Sequence, residues 1–489
     1  SWRGPCWTTD DCTAAATAAA MHTPTADNTA SLGDIEAADT IVILGADPLG
    51  EGPMLALAAR QARRRGARII TIDPRPVTLP CEHEHLAVHP AHLATAVKHL
   101  IAGALDPSRE IALGAERLAW FDTLKSGARE IEAAERLRSL GRQLTAAWRP
   151  ALVCGTAVVG PEVPPLLGVL QEVVQISCMW IGLHYLLPGA NSFGAHLLSP
   201  SSERFSAIVE AMETRRLKAL VVVENDLFSD YPDGSRLAAA LDKLDLLVVL
   251  DCLTSEAVKQ ADVFLPTQTI YEAGGRFINN EGRLQQAQAV IAGGRPVAET
   301  GRGGHPPRVF SPRIPGEGPL PAWRLLCDLI APALDAADAE DLLGEALAAS
   351  AAGVADLNRL TPGERLCLPT VSAAPAAAPE AASQATSAGG AKGITMIETE
   401  TTFGSERLSS SSAALSELTP EPFASVNPET AAALGWHADA LVEVPAATPD
   451  LRLRVVVDGR AAPGVVVVPR LIGRDAKALR RWAHGLTSL

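Results

Sequence analysis

The residues of this chain that could do chemistry gather where apolar runs stop. Between Leu217 and Gln285, Glu224-Asn225-Asp226 follows a valine-rich run, Asp251 follows a second one, and a glycine-rich turn carries Asn279, Asn280, Glu281 and Arg283. Amides and a guanidinium at the ends of strands can cradle the phosphates of a dinucleotide-like group through charge-assisted hydrogen bonds. The competing reading, which is preferred, makes this loop a packed structural element with Arg283 paired to an internal acid such as Glu281 or Asp251. Asp226, Asp230 and Asp233 read as turn and cap residues.

Thiols and imidazoles are the next candidates. Eight cysteines stand at 6, 12, 81, 154, 178, 252, 327 and 367, and none has the close pairing that iron-sulfur clusters or structural zinc need. Cys154, Cys178 and Cys252 lie in apolar runs and read as small buried hydrophobes. Scattered single thiols fit a reducing compartment rather than a disulfide framework. His83, His85, His89, His92 and His99 crowd one stretch. Pro90 interrupts them and no cysteine or carboxylate set completes a zinc geometry, so they are expected to be surface histidines beside Glu82 and Glu84. Arg63-Arg64-Arg65 reads as a solvated face or a partner of a helix dipole.

The elements that must position these groups follow from periodicity. Residues 217–285 read as strand, acidic loop, helix, strand, helix, strand and turn. Upstream, Asp34-Ile35-Glu36 leads into a strand from Ile41 to Leu44, the turn Gly45-Ala46-Asp47-Pro48, a helix ending near Gly66, and a strand from Arg68 to Ile72 closed by Asp73-Pro74-Arg75. This β-α-β order demands helices on both faces of a parallel sheet. Gly45 permits a tight turn close to a ligand backbone, although G-x-G-x-x-G is absent. A helical, charged stretch from about Arg109 to Trp148 leads to the strand Ala151 to Cys154 and a second α/β unit.

Three of these segments carry a resemblance. Glu224-Asn225, Asp251 through Pro266, and Glu272 through Arg283 resemble the molybdopterin-oxidoreductase superfamily, and the wording ENDL and INNEGR is most similar to the large iron-sulfur subunit of bacterial NADH:quinone oxidoreductase, respiratory complex I. The resemblance implies an α/β fold of two doubly wound, mostly parallel domains plus a small C-terminal β-barrel. Composition and patterning along the chain divide it into a leading segment 1–32, a first α/β domain 33–150, a second 151–292, an irregular plus helical segment 293–368, an Ala/Pro/Ser linker 369–400 and a barrel-like domain 401–489. The resemblance covers only the later part of that large subunit, whose cluster-binding N-terminal region is expected to be missing or on another chain.

The same resemblance sets the functional expectations. Gly189 to Ala195 is similar to a turn that superfamily members place over the pterin, with His196 where an acidic or polar group often follows. Active members such as formate dehydrogenase carry a cysteine or selenocysteine metal ligand ahead of the strand that here begins near Ala38, followed directly by histidine. Cys12 lies at a matching distance and a thiolate suits a high-valent metal. Thr13 follows it, however, so the proton acceptor is missing unless His22 folds back, and Cys12 is expected to be incidental. No residue is assigned a catalytic, cofactor-binding or metal-binding role.

The chain is therefore expected to be a scaffold subunit in the peripheral arm of an NADH:quinone oxidoreductase-like electron-transfer complex, with flavin- and iron-sulfur-bearing partner subunits. Iron-sulfur clusters and FMN would belong to the parent complex and none to this chain. The alternative is the catalytic portion of a bis-molybdopterin molybdenum or tungsten oxidoreductase such as formate dehydrogenase. A net charge of −14 disfavours nucleic acid. No apolar run is long enough to span a bilayer, and the expected location is cytoplasmic, held at the inner face of the cell membrane through partners.

Overall fold

The computed structural model describes residues 11–21, 28–105, 131–178, 180–198, 204–231, 233–291, 319–330, 363–364, 394–444, 451–471, 479 and 482. The Cys12 side chain, His22, the first ten residues, the stretch 109–130, and nearly all of the irregular segment and linker lie outside these residues.

Five strands form the first sheet: β1 (Thr40–Leu44), β2 (Arg68–Asp73), β3 (Glu84–Ala87), β4 (Pro150–Gly155) and β5 (Gly182–Leu186). They pair in the order β3-β2-β1-β4-β5, all parallel. Because side chains alternate along a strand, β1 feeds two separate cores. Val42 and Leu44 join Leu100, Leu137 and Leu170 on one face, while Ile41 and Ile43 join Leu55, Ala59 and Val153 on the other. The sheet is thus covered on both sides, as a parallel sheet requires. Chain order reverses between β1 and β4, which opens a crevice at their carboxyl ends.

The second sheet is β6 (Ala219–Val223), β7 (Leu246–Asp251) and β8 (Val263–Pro266), parallel and in sequential order. It is mixed with helices as expected, but among the described residues it is not doubly wound. A sequential order has no reversal and sends both crossovers the same way. Val222, Leu247 and Val249 pack under the helices Phe205–Glu213 and Gly234–Leu241, whereas Val221, Leu246 and Val263 on the other face remain 46%, 40% and 41% exposed. A short antiparallel hairpin, β9 (Gly275–Ile278) and β10 (Leu284–Ala287), follows.

At the C-terminus, β11 (Thr395–Thr399), β12 (Phe423–Val426), β13 (Leu441–Glu443), β14 (Arg452–Val457) and β15 (Val465–Pro469) pair in the order β11-β15-β12-β14-β13. The expected barrel is not seen among the described residues. Closure would require β11 and β13 to pair, and the order puts them at opposite edges of an open mixed sheet. β11 also falls inside the span drawn as a linker, because its partner β15 lies far along the chain. Asn427 caps the helix Pro428–Leu434, which ends at Gly435 in the left-handed conformation, φ 67°. This sheet docks on the first one through Ile397, Ala462, Val465 and Val467 against Ala87 and Val158.

Candidate functional site

The first crevice is built from the turns after β1, β2 and β4. Gly45 takes φ 59° so that the chain can turn out of β1, and a Cβ on Gly155 would overlap the Gly45 carbonyl oxygen, so the two exits touch backbone to backbone. Asp47 then caps the short helix Pro48–Glu51, accepting from Leu49 N at 3.2 Å and Gly50 N at 3.4 Å. Below it, Asp73 and Arg75 form a two-armed pair: Nε to Oδ1 and Nη2 to Oδ2, both 2.9 Å. The Arg75 backbone N–H also donates to Asp73, at 2.8 Å, and Nη1 donates to Glu51 at 2.5 Å. Asp73 and Arg75 are buried.

The electrostatics follow from that geometry. Burial pushes the Glu51 and Asp47 carboxyls above the usual range, with Arg75 opposing. Burial also works against the Arg75 charge, but Asp73 and then Glu51 outweigh it and hold the guanidinium protonated. Three carboxylates thus surround one guanidinium that is already committed to two of them. Overhead, Ala462 N donates to the Pro74 carbonyl at 2.9 Å, and His85 Nε2 lies 2.9 Å from the Arg460 carbonyl.

At the second crevice Glu224 leaves β6 with φ 49°, a left-handed conformation uncommon outside glycine. Asp226 caps the turn that follows, through Phe228 N at 3.3 Å and the Ser229 hydroxyl at 2.6 Å. Asp251 at the end of β7 is buried. It accepts from Leu253 N at 3.1 Å and from Arg407 Nη2 at 2.6 Å. Arg407 Nη1 also donates to the Glu224 carbonyl at 3.3 Å. The amide oxygen of Asn225 is enclosed without a hydrogen-bond partner.

The loop 279–283 is folded on itself. Asn279 Oδ1 accepts from Glu281 N at 3.1 Å and Arg283 N at 2.9 Å. Arg283 reaches Glu281 at 3.4 Å and the Gly363 carbonyl at 2.5 Å. Of the two acids offered as partners, Glu281 pairs with Arg283, and Asp251 is taken by Arg407 instead. Asn280 Nδ2 donates to the Tyr185 carbonyl and to His184 Nε2, both 2.8 Å, while His184 Nδ1 lies 2.9 Å from the Ala30 carbonyl. With Nδ1–H donating to Ala30, Nε2 is free to accept, which assigns the neutral tautomer. Burial accordingly holds His184 below the usual histidine range, the Ala30 carbonyl opposing. Asn191 Oδ1 accepts from Ile278 N at 2.8 Å, so the turn around Gly189 serves to hold the hairpin.

The remaining candidates are scattered. His83 binds the Cys81 carbonyl at 3.1 Å, His99 is buried beside Arg138, and His89 and His92 lie with ring centroids 5.8 Å apart. His83, His85 and His89 are half-buried and His99 is buried, because the C-terminal sheet and the Ala134–Ala146 helix cover their segment, whereas His92 is exposed as expected. Among the described residues no group of three or more metal-type side chains forms. Cys154 is buried, Cys178 and Cys252 half-buried, and burial raises all three thiols, which keeps them protonated and poor ligands. His184 and Arg407 carry no mark in the sequence: the first is a polar residue in an apolar strand, and the second lies in a serine-rich stretch with no local pattern.

A parallel α/β sheet with polar strand exits and a C-terminal sheet above it defines a class, and similarity to known proteins identifies it. Residues 6–294 match the molybdopterin oxidoreductase family, and residues 398–481 match the molydopterin dinucleotide binding domain. The first match covers more than half of the chain, which therefore belongs to the molybdopterin oxidoreductase family. The NADH-quinone oxidoreductase G-subunit of Pseudomonas putida is 27% identical over 283 residues, 52% of this chain and 29% of that protein. The alpha chain of F420-dependent formate dehydrogenase from Methanocaldococcus jannaschii is 28% identical over 314 residues, 54% of this chain and 46% of that one. The matched stretch thus spans less than half the length of either relative. Acetylene hydratase from Pelobacter acetylenicus shares the fold, with a TM-score of 0.59 at 13% identity over 94% of this chain and 73% of that chain.

The family implies a molybdopterin dinucleotide, and the first crevice does not suit its phosphates. A polyanion needs donors in excess of acceptors, whereas Asp47, Glu51 and Asp73 outnumber Arg75 three to one. No helix among the described residues is long and apolar enough to cross a membrane.

Proposed function

We propose that this chain is a non-catalytic structural subunit of a multisubunit electron-transfer oxidoreductase of the NADH:quinone type, in which the molybdopterin oxidoreductase fold is kept for its shape. The single observation that carries this reading is the Asp73–Arg75–Glu51 cluster, which uses internally the guanidinium buried in the crevice among the described residues. Fold does not bring chemistry with it once the reacting groups are diverted. In this reading the flavin and iron-sulfur clusters sit on partner subunits, and the chain stays at the cytoplasmic face of the membrane by contact with them. The relatives named as subunits of NADH-quinone oxidoreductase support the assembly.

A second reading, a molybdenum or tungsten enzyme of the formate dehydrogenase kind, draws support from the dinucleotide-domain match over 398–481 and from the archaeal relative. Elemental analysis of the purified chain separates the two. Absence of molybdenum and tungsten together with co-purifying flavin and iron-sulfur subunits is expected. About one heavy atom per chain would overturn the scaffold reading. Cys12→Ser should leave electron transfer by the parent complex unchanged, and a loss of activity with assembly intact would count for the enzyme.

A further inference from the structure

We propose that Arg407 is an internal ligand, its guanidinium filling an acceptor-lined pocket at the carboxyl edge of β7 that accepts planar N–H donor cations of the guanidinium and amidinium class. The pocket is built around Asp251, which is fully buried and has one oxygen fixed by Leu253 N at 3.1 Å. The other oxygen points to the incoming Arg407 Nη2 at 2.6 Å, and the Glu224 carbonyl receives Nη1 at 3.3 Å. The two acceptors are thus met by the two arms of one planar fork, a match that a single ammonium cannot make. One residue on from Glu224, the Asn225 amide oxygen is enclosed and lacks a donor.

The arginine is delivered by a part of the chain that makes no strand with the second sheet. It opens the four-residue helix Arg407–Ser410, whose first turn is satisfied by Glu406 through Leu408 N at 2.9 Å and Ser409 N at 2.7 Å. Among the described residues, the hydrogen bonds from this turn to the second sheet are the two made by Arg407. Removing the side chain therefore uncovers a buried carboxylate without dismantling a sheet. In a low-dielectric setting such a carboxylate holds a replacement donor strongly. The inference rests on the proposed closure of the crevices by the chain itself. It is read on a variant with a small cation, so its failure is distinct from the appearance of a heavy metal in the unaltered protein.

The test is a titration of the full-length Arg407→Ala protein with methylguanidinium, followed by thermal unfolding. The variant should melt below the unaltered chain. At about ten times the dissociation constant, methylguanidinium should raise its melting temperature by roughly 2–4 °C, with no rise for the unaltered chain, for equal methylammonium, or for Arg407→Ala/Asp251→Asn. If Arg407→Ala does not accumulate in folded form, its refolding yield with and without methylguanidinium becomes the readout, and rescue by that cation alone is expected. Absence of any guanidinium-specific response, or an equal response in the double variant, overturns the proposal and leaves Arg407 as an ion pair only.

Discussion

At the end of β2 a buried aspartate meets a guanidinium two residues away, whereas at the end of β7 the equivalent aspartate meets one 156 residues away. Asp73 and Arg75 are carried in by the same turn, so that crevice closes as the sheet forms. Asp251 waits for the turn that carries Arg407. The same contrast holds for the faces of the sheets: β1 is covered on both sides by its own helices, while β6 and β8 leave Val221 and Val263 in solvent. One parallel sheet pairs its strand-end acid within its own turn and covers both faces with its own helices, and the other draws on a remote arginine and leaves one face partly exposed.

The sharpest way to break this comparison is Arg75→Ala. It leaves Asp73 and Glu51 facing each other in the interior without a cation, at an expected cost of about 3–5 kcal/mol in the urea unfolding of the purified chain. A loss under about 1 kcal/mol would mean that the cluster is not the closure described above. Ile43→Ala and Val221→Ala sharpen the contrast between sheets. The buried position should lose about 2–4 kcal/mol, the exposed one within about 0.5 kcal/mol, and equal losses would erase the distinction.

The pH response is smaller. His184 is neutral in the fold and its pKa lies below the ordinary value of 6.5. The unfolded chain therefore takes up the proton first, and stability present above pH 6.5 falls as the pH drops through the window between that value and the lower folded one. His184→Gln should flatten this slope in unfolding curves recorded from pH 7 to pH 5. His85 and His89 are lowered by burial too, so part of the slope should persist. An unchanged slope would remove His184 from the account. Least of all, Arg283→Ala should cost about 1 kcal/mol or less, since its partner Glu281 is 3.4 Å away; a loss as large as that of Arg75→Ala would restore the loop as a site.

What could be seen in the sequence was local. Strand ends at Asp73, Glu224 and Asp251 stand out because an apolar run stops at a charge, and Asp73-Pro74-Arg75 holds both members of its ion pair within three residues. Subtler features depended on distance. Nothing near Arg407 marks it as the partner of Asp251, and the strand Thr395–Thr399 borders an alanine-rich run and is fixed only by β15. The valines of β6 read the same whether one face is covered or both, so the bare face of the second sheet was invisible. His85 looked like a surface residue because its cover, Arg460, arrives from the C-terminal sheet.

That last contact carries a consequence for synthesis. The first sheet is complete only when β5 (Gly182–Leu186) has been made, 274 positions before Arg460, so on a ribosome adding about 5–20 residues each second it waits roughly 15–55 s for its roof. During that interval the exits of β2 and β3 stand open to solvent, and a chaperone or partner that shields them would act on the nascent chain, before the C-terminal sheet has left the exit tunnel.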